Sequence, residues 1–286
     1  MRSLRLPREL LVPLGFVLPS LVYVAYFSFY PTFDAVYLSF QTPFESNTLT
    51  NYRLLEYVNV NGSIENTILF TLGALAIQFG LGLAMALLLA QPFRGKGLAS
   101  TVFVLPIGIA TVVAGVVFSF IFPSGGGGYA NSALHGLGLP VVDWYQNSTT
   151  VLVMIMIADS WKNTPLVMLI LLAGVVTIPP SLYEAAAVDG AGALRRFVYV
   201  TLPNLKTFVV IALIIRGISE FNVFTLFLIL GTDATQVLNT LVFELYSTTP
   251  TVYQSLAAAS ILLGFILVFI VLVVALGGAP AGRRRP

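Results

Sequence analysis

Charged and amide side chains embedded in apolar sequence fall into two groups: Asp159, Lys162, Asn163 and Thr164 in one run, and Arg216, Glu220, Asn222 and Thr225 in another. At the centre of a bilayer an ionisable group costs about 2.5–3.5 kcal/mol on insertion scales, so each should face a bundle interior or water and pair with something. Arg216 and Glu220 lie four residues apart, on one face of a helix. Two readings stand: they neutralise one another, or they meet a solute. Their basic-first order is the less favourable orientation for such a pair, which leaves room for partners on another helix, in this chain or in a companion. Asp159 and Lys162, three apart, admit the same two readings. Asn163, Asn222 and Thr225 offer amide and hydroxyl groups that suit an uncharged, hydroxyl-rich solute and equally suit hydrogen bonds between helices.

Covalent chemistry is poorly served. Hydrolysis inside a membrane needs paired aspartates, a Ser/His pair or a metal site, whereas Asp159 has no such partner and the lone His135 falls outside the apolar runs. There is no cysteine, hence no thiol nucleophile, disulfide framework or thiolate metal site. The glycine run from Gly125 to Gly128 has neither a strand–helix frame nor a following Lys, so it does not make a phosphate loop. No catalytic, cofactor-binding or metal-ligating residue is assigned. Trp144 and Tyr145 suit a membrane–water interface.

Composition fixes the kind of element that carries the polar groups. Hydrophobic residues make up 57% of the 286 and charged ones 9%, with a mean hydropathy of +0.92, against about 45–50% apolar and about 25% charged in a soluble domain. A helix crosses roughly 30 Å of hydrocarbon in about 20 apolar residues. Six runs reach that length, approximately 10–30, 66–90, 101–122, 150–175, 207–230 and 253–276. They are continuously apolar rather than alternating, so an all-α integral membrane protein with six transmembrane helices is expected, not a barrel. Prolines fall inside the runs at Pro13, Pro19, Pro106 and Pro165, where each can kink its helix or be tolerated by neighbours.

Eleven of the fourteen Lys and Arg residues sit in alternate connections or at the ends: Arg2, Arg5, Arg8; Arg94, Lys96; Arg195, Arg196, Lys206; Arg283, Arg284, Arg285. The opposite loops hold only Arg53, beside Asp34, Glu45, Glu56, Glu65, Asp143, Asp233 and Glu244. Basic loops face the cytoplasm, so both termini are expected there. The first run is too long for a signal peptide and lacks a small-residue cleavage site, so it is read as an uncleaved span. The net charge of +2 is accounted for by this asymmetry and gives no nucleic-acid footprint. Residues 1–65 are expected to form one span with a polar outer segment, 66–276 a core of five spans, and 277–286 a basic tail.

The inner loop 176–206 has its own local structure. Pro179 and Pro180 suit a helix start, 181–189 can form about two and a half turns, and Gly190 suits a left-handed exit from the helix. A second short helix can follow to Val200, before Pro203. Ala185, Ala186 and Ala187 leave little side-chain bulk, so another surface could approach the backbone closely; alternatively Leu182, Tyr183 and Val188 could lay the helix on the membrane.

In order along this loop, Glu184-Ala185-Ala186, Asp189-Gly190-Ala191, Phe197 and Leu202-Pro203 resemble the EAA loop of ABC importer permeases. The likeness extends to Tyr30-Pro31 with Ser39-Phe40, to Asn51-Tyr52, Asn66-Thr67, and Trp161 with Thr164-Pro165, so that nearly the whole chain looks like the first permease of a pair. Asp189 before Gly190 is similar to the maltose, multiple-sugar and glycerol-phosphate branch. The resemblance implies a type I ABC importer permease fold, multi-pass in the cell membrane, moving a sugar or similar polyhydroxylated solute inward. It implies that 181–194 carries a coupling helix seated in a cleft of an ATP-hydrolysing subunit. Glu184 would meet polar or basic groups there, Ala185 and Ala186 would allow close packing, and Gly190 would make the turn. The implied partners are a second permease subunit, two ATPase subunits that use the ATP and Mg, and an extracytoplasmic solute-binding protein; this chain itself is expected to bind no cofactor. After the fifth run many relatives have a Gly-Gly-Pro turn where this chain has Gly231-Thr232-Asp233, which leaves that outer loop open. A secondary transporter or channel would call for internal repeats or an acidic relay in the membrane, and neither is found; an importer permease for a non-sugar solute stands as a further alternative.

Overall fold

The computed structural model describes residues 8–248 and 252–277. Arg2, Arg5, Arg283, Arg284 and Arg285, with nearly all of the basic tail, lie outside the described residues. Among those described, regular structure is helical throughout: α1 (Arg8–Val24), α2 (Tyr30–Ser39), α3 (Thr50–Leu54), α4 (Val60–Ala90), α5 (Lys96–Val104), α6 (Thr111–Ile121), α7 (Gly128–Gly136), α8 (Ser148–Val176), α9 (Pro180–Val188), α10 (Ala193–Arg196), α11 (Leu202–Phe221), α12 (Thr225–Leu230), α13 (Leu238–Thr248) and α14 (Tyr253–Gly277). Five helical stretches are long and apolar enough to cross a membrane: Gly15–Ser39, Val60–Ala90, Ser148–Val176, Ala193–Phe221 and Tyr253–Gly277. α5 and α6 make a sixth crossing only as a bent pair.

That bend corrects the expected continuous helix over 101–122. The chain turns by 101° between α5 and α6, through a 3-10 turn at Leu105–Gly108 and extended backbone at Ile109 and Ala110. Pro106 gives the helix no N–H and Gly108 adds little propensity to restore it. The run 207–230 is also interrupted, because α11 stops at Phe221 and α12 begins only at Thr225. Asn222 competes locally for the backbone there: its Nδ2 donates to the Ile218 carbonyl at 2.7 Å, and its own carbonyl accepts from Asn239 Nδ2 at 2.8 Å.

Two prolines act the other way and fail to end a helix. The second short helix expected to close before Pro203 instead runs on from α10 through a π-helical turn, Phe197–Thr201, into α11. The helix of the first span likewise passes through a π-helical turn, Ala25–Phe29, into α2 and so continues beyond Pro31 into the segment expected to be a polar loop. In each case the residue before proline bonds five residues back, Tyr30 N–H to the Ala25 carbonyl and Leu202 N–H to the Phe197 carbonyl. The widened turn accommodates a ring that would clash with the carbonyl four residues back in an α-helix.

The chain divides into two compact units, one of residues up to Val58 with Val242–Ile261, the other of Asn59–Leu241 with the residues from Leu262 on. In the first, Asn51 Nδ2 donates to the carbonyls of Ser39 and Gln41 at 2.8 and 2.7 Å, and Ser39 Oγ lies 2.7 Å from the Tyr52 hydroxyl. These bonds clasp the loop after α2. In the second, α8 packs along α4, and Gly82 lets them approach: a Cβ there would stand 3.0 Å from Val167 Cγ1. Such small residues are the usual way for helices to meet in lipid. Asn66 Nδ2 donates to the Ala234 and Gln236 carbonyls at 3.1 and 3.0 Å, and Thr67 Oγ1 accepts from Leu238 N–H at 2.9 Å, fixing the start of α13 to α4. One apolar cluster gathers Phe70, Phe118, Ile155, Leu226 and Phe227, a second Ala86, Leu89, Val167, Met168 and Leu171. Along α4 and α8 the polar residues Gln78 and Asp159 fall between them.

Candidate functional site

Gln78, Asp159, Arg216 and Glu220 come from α4, α8 and α11, and none exceeds 6% exposure. Gln78 Nε2 donates to Asp159 Oδ2 and to Glu220 Oε1, each at 2.9 Å, and its Oε1 accepts from Arg216 Nε at 3.0 Å. Arg216 Nη2 pairs with Glu220 on its own helix and with Asp159 at 3.5 Å across to α8. Asn163 Nδ2 donates to Asp159 Oδ1 at 2.8 Å. One guanidinium therefore serves two carboxylates, and the Gln78 amide supplies donors to both. In a medium where an unpaired charge is costly, these shared partners hold three helices together.

The arrangement decides several sequence expectations. Arg216 and Glu220 do pair, and their further partners lie on other helices of this same chain. Asp159 does not pair with Lys162: its oxygens are taken by Gln78, Arg216 and Asn163, while Lys162 is only half-buried and can carry its ammonium away from the cluster. Asn222 and Thr225 lie apart from the network, at the break between α11 and α12. Thr164 is buried and, with Trp161, Pro165 and Pro106, lines a cavity of about 390 Å³ beside the bend of the third span. His135 is exposed on α7.

The loop between α8 and α11 forms a second locus. Pro180 starts α9, as its fixed φ and missing donor favour. At the other end Ala191 N–H donates to the Ala186 carbonyl at 2.9 Å and Gly190 N–H to the Ala187 carbonyl at 3.1 Å, the paired bonds of a Schellman motif. Gly190 has φ +73° with open space where a Cβ would be. Glu184, Ala185 and Asp189 are exposed and Ala186 half-buried, and Val188 is 88% exposed. Behind α9 a groove of about 1000 Å³ reaches the ends of α4 and α8, lined among others by Leu87, Val176, Tyr183, Glu184 and Phe197. Across it the Tyr183 hydroxyl lies 2.9 Å from Thr201 Oγ1.

Residues 78–278 match the family described as binding-protein-dependent transport system inner membrane component. The chain belongs to this family. The trehalose/maltose transport system permease protein MalF of Thermococcus litoralis is 32% identical over 244 residues, 81% of this chain and 82% of that one. The sn-glycerol-3-phosphate transport system permease protein UgpA of Yersinia pseudotuberculosis is 31% identical over 248 residues, 82% of each chain. A chain from a bacterial ABC transporter involved in the import of the acidic polysaccharide alginate shares the fold, with a TM-score of 0.81 at 20% identity over 96% of this chain and 97% of that one. The permease is thus an inner-membrane transport component of an ABC importer, which sets aside the secondary-transporter, channel and intramembrane-enzyme readings.

Two contacts at these loci are not legible in the sequence. The signal for Gln78 is a lone amide in the apolar stretch 72–90 of α4. Thr201 falls just past the short helix expected to end at Val200, and nothing in its neighbours points to Tyr183.

Proposed function

We propose that the permease carries a sugar or similarly polyhydroxylated solute inward, paired with a second permease subunit, driven by two ATPase subunits and fed by an extracytoplasmic binding protein, with both chain ends on the cytoplasmic side. The observation that carries the coupling part is α9 itself: a short, small-faced, exposed helix ended by a left-handed glycine. It stands between α8 and the unbroken helical run Ala193–Phe221. Glu184, Ala185 and Val188 present the face that an ATPase cleft would grip, and Asp189 and Gly190 set the angle at which it is presented. A push on α9 passes to α11 by two routes, through the chain at Gly190–Gly192 and through the Tyr183–Thr201 hydrogen bond. ATP and Mg stay on the partner subunits.

The solute class rests on the relatives' substrates, trehalose or maltose in one and sn-glycerol 3-phosphate in another. Uncharged or hydroxyl-rich cargo needs amide and hydroxyl partners more than a strong charge. With Arg216, Glu220 and Asn163 engaged in the buried network, Asn222 and Thr225 are the path candidates that stand outside it. The test is purification of the assembled complex, mass measurement, and uptake into vesicles of a disaccharide, glycerol phosphate and an amino acid. A second, different permease and ATP-driven uptake of the hydroxylated solutes are expected; a complex with two copies of this chain alone, or uptake of the amino acid only, overturns the proposal.

A further inference from the structure

We propose that Gln78 is a positioning residue for transport: it fixes α4, α8 and α11 as one body, so that displacement of the α9 segment moves all three helices together. The inference rests on α9 being the coupling element. α8 and α11 flank that element in the chain, whereas α4 has no short covalent path to it and must be carried by contacts. Apolar packing has no hydrophobic drive in a bilayer, where lipid tails are as apolar as the helix faces, and it is not directional. Gln78 instead makes three directed hydrogen bonds to three side chains on two other helices, at 2.9, 2.9 and 3.0 Å.

Its amide is what α4 contributes to the cluster. Among the described residues Arg216 is the cation paired with both carboxylates, and the second oxygen of Glu220 is already buried without a hydrogen-bond partner, so losing the Gln78 donors leaves the two carboxylates still less well bonded. A role in stability alone could be met by well-packed apolar side chains. A fixed relation among three helices is what the polar network adds.

The complex reconstituted in vesicles provides the test, with solute moved per ATP hydrolysed as the readout. Gln78→Leu is expected to lower that ratio about tenfold while assembly and unstimulated hydrolysis stay near wild type. Adding Glu220→Gln removes the surplus carboxylate and puts an amide on α11, but leaves α4 with no polar group in the cluster, so the double variant is expected to keep the loss. Recovery would mean that Gln78 serves charge balance and not position. An unchanged ratio in Gln78→Leu, or a double variant that recovers most of the ratio, overturns the inference.

Because the chain has no cysteine of its own, spin labels on Leu88→Cys of α4 and Ile211→Cys of α11, both exposed positions, test it with the network intact. Their separation should hold within about 2 Å between the nucleotide-free and ATP-bound complex, and a shift of about 5 Å, one helical turn, overturns it. Absence of any uptake by the unmodified complex would strike the proposed function, whereas normal uptake with an unchanged ratio in Gln78→Leu strikes only this role.

Discussion

The Tyr183 hydroxyl and Thr201 Oγ1, eighteen residues apart in sequence, are 2.9 Å apart in space. This bond ties α9 to the π-helical turn that leads into α11, and Thr201 is buried at that point. A neutral hydrogen bond contributes about 0.5–1.5 kcal/mol net. Tyr183→Phe should therefore reduce solute-stimulated ATP hydrolysis by a factor of about two to ten, with assembly unchanged. Thr201→Val should match it, and the double variant should lose no more than either single, since both remove one contact. Additive losses would mean that the two side chains act separately.

Gly190 tests the turn. Its φ of +73° lies where a β-branched residue is strained by about 1–3 kcal/mol, with no crowding to add. Gly190→Val should insert and assemble normally yet lose transport, and Ala185→Trp should do the same by keeping an ATPase surface away from α9. Glu184→Lys, placing a cation where the family pattern has an anion, should follow them. Ser132→Ala, whose hydroxyl bonds only its own helix at the Gly128 carbonyl, should be nearly silent. Normal stimulated hydrolysis and uptake in both Gly190→Val and Ala185→Trp would remove α9 from the coupling path.

Arg216 is the cation on which the network's charge balance depends. Arg216→Leu leaves Asp159 and Glu220 buried without their counter-charge, and loss of one partner of a buried pair costs roughly 3–5 kcal/mol. The detergent-solubilised chain should melt at clearly lower temperature than wild type, and further below it than Glu220→Gln, which removes a charge but keeps an amide for Gln78 and Arg216. Equal melting of the two variants would contradict this ranking.

Orientation follows from the basic loops. Reporter fusions within Gly190–Gly192 should report cytoplasm, and fusions next to Asp143 should report the outer side. The reverse result would put α9 out of reach of any ATPase and undo the coupling mechanism.

What the sequence made legible was decided locally. Pro180, the alanines and Gly190 specify α9 and its exit through contacts within a few residues, and the apolar runs specify helices by length alone. Gln78 was not legible because its partners lie 81 and 142 residues away in sequence, and only packing brings them together. Pro106 and Pro203 show why breakers mislead. At Pro106 the helix breaks; at Pro203 a residue absorbed upstream lets it continue, and a single proline gives no sign of which will happen. The clasp residues Ser39, Asn51 and Tyr52 were noticed through the family pattern, and their hydrogen bonds supply the physical reason for it.

The π-helical turn Phe197–Thr201 is equivalent to one residue inserted into an α-helix, and one residue is about 100° of rotation. Everything on its α9 side is therefore set at an azimuth, relative to Arg216 and Glu220, that is written in the chain as a count rather than as a contact. Deleting one residue within 197–201 would leave every side chain of the buried network and of α9 in place in the sequence, yet swing the two out of phase around the α11 axis. If α9 is the coupling element proposed above, the direction from which an ATPase stroke would reach the membrane helices is a matter of helical phase.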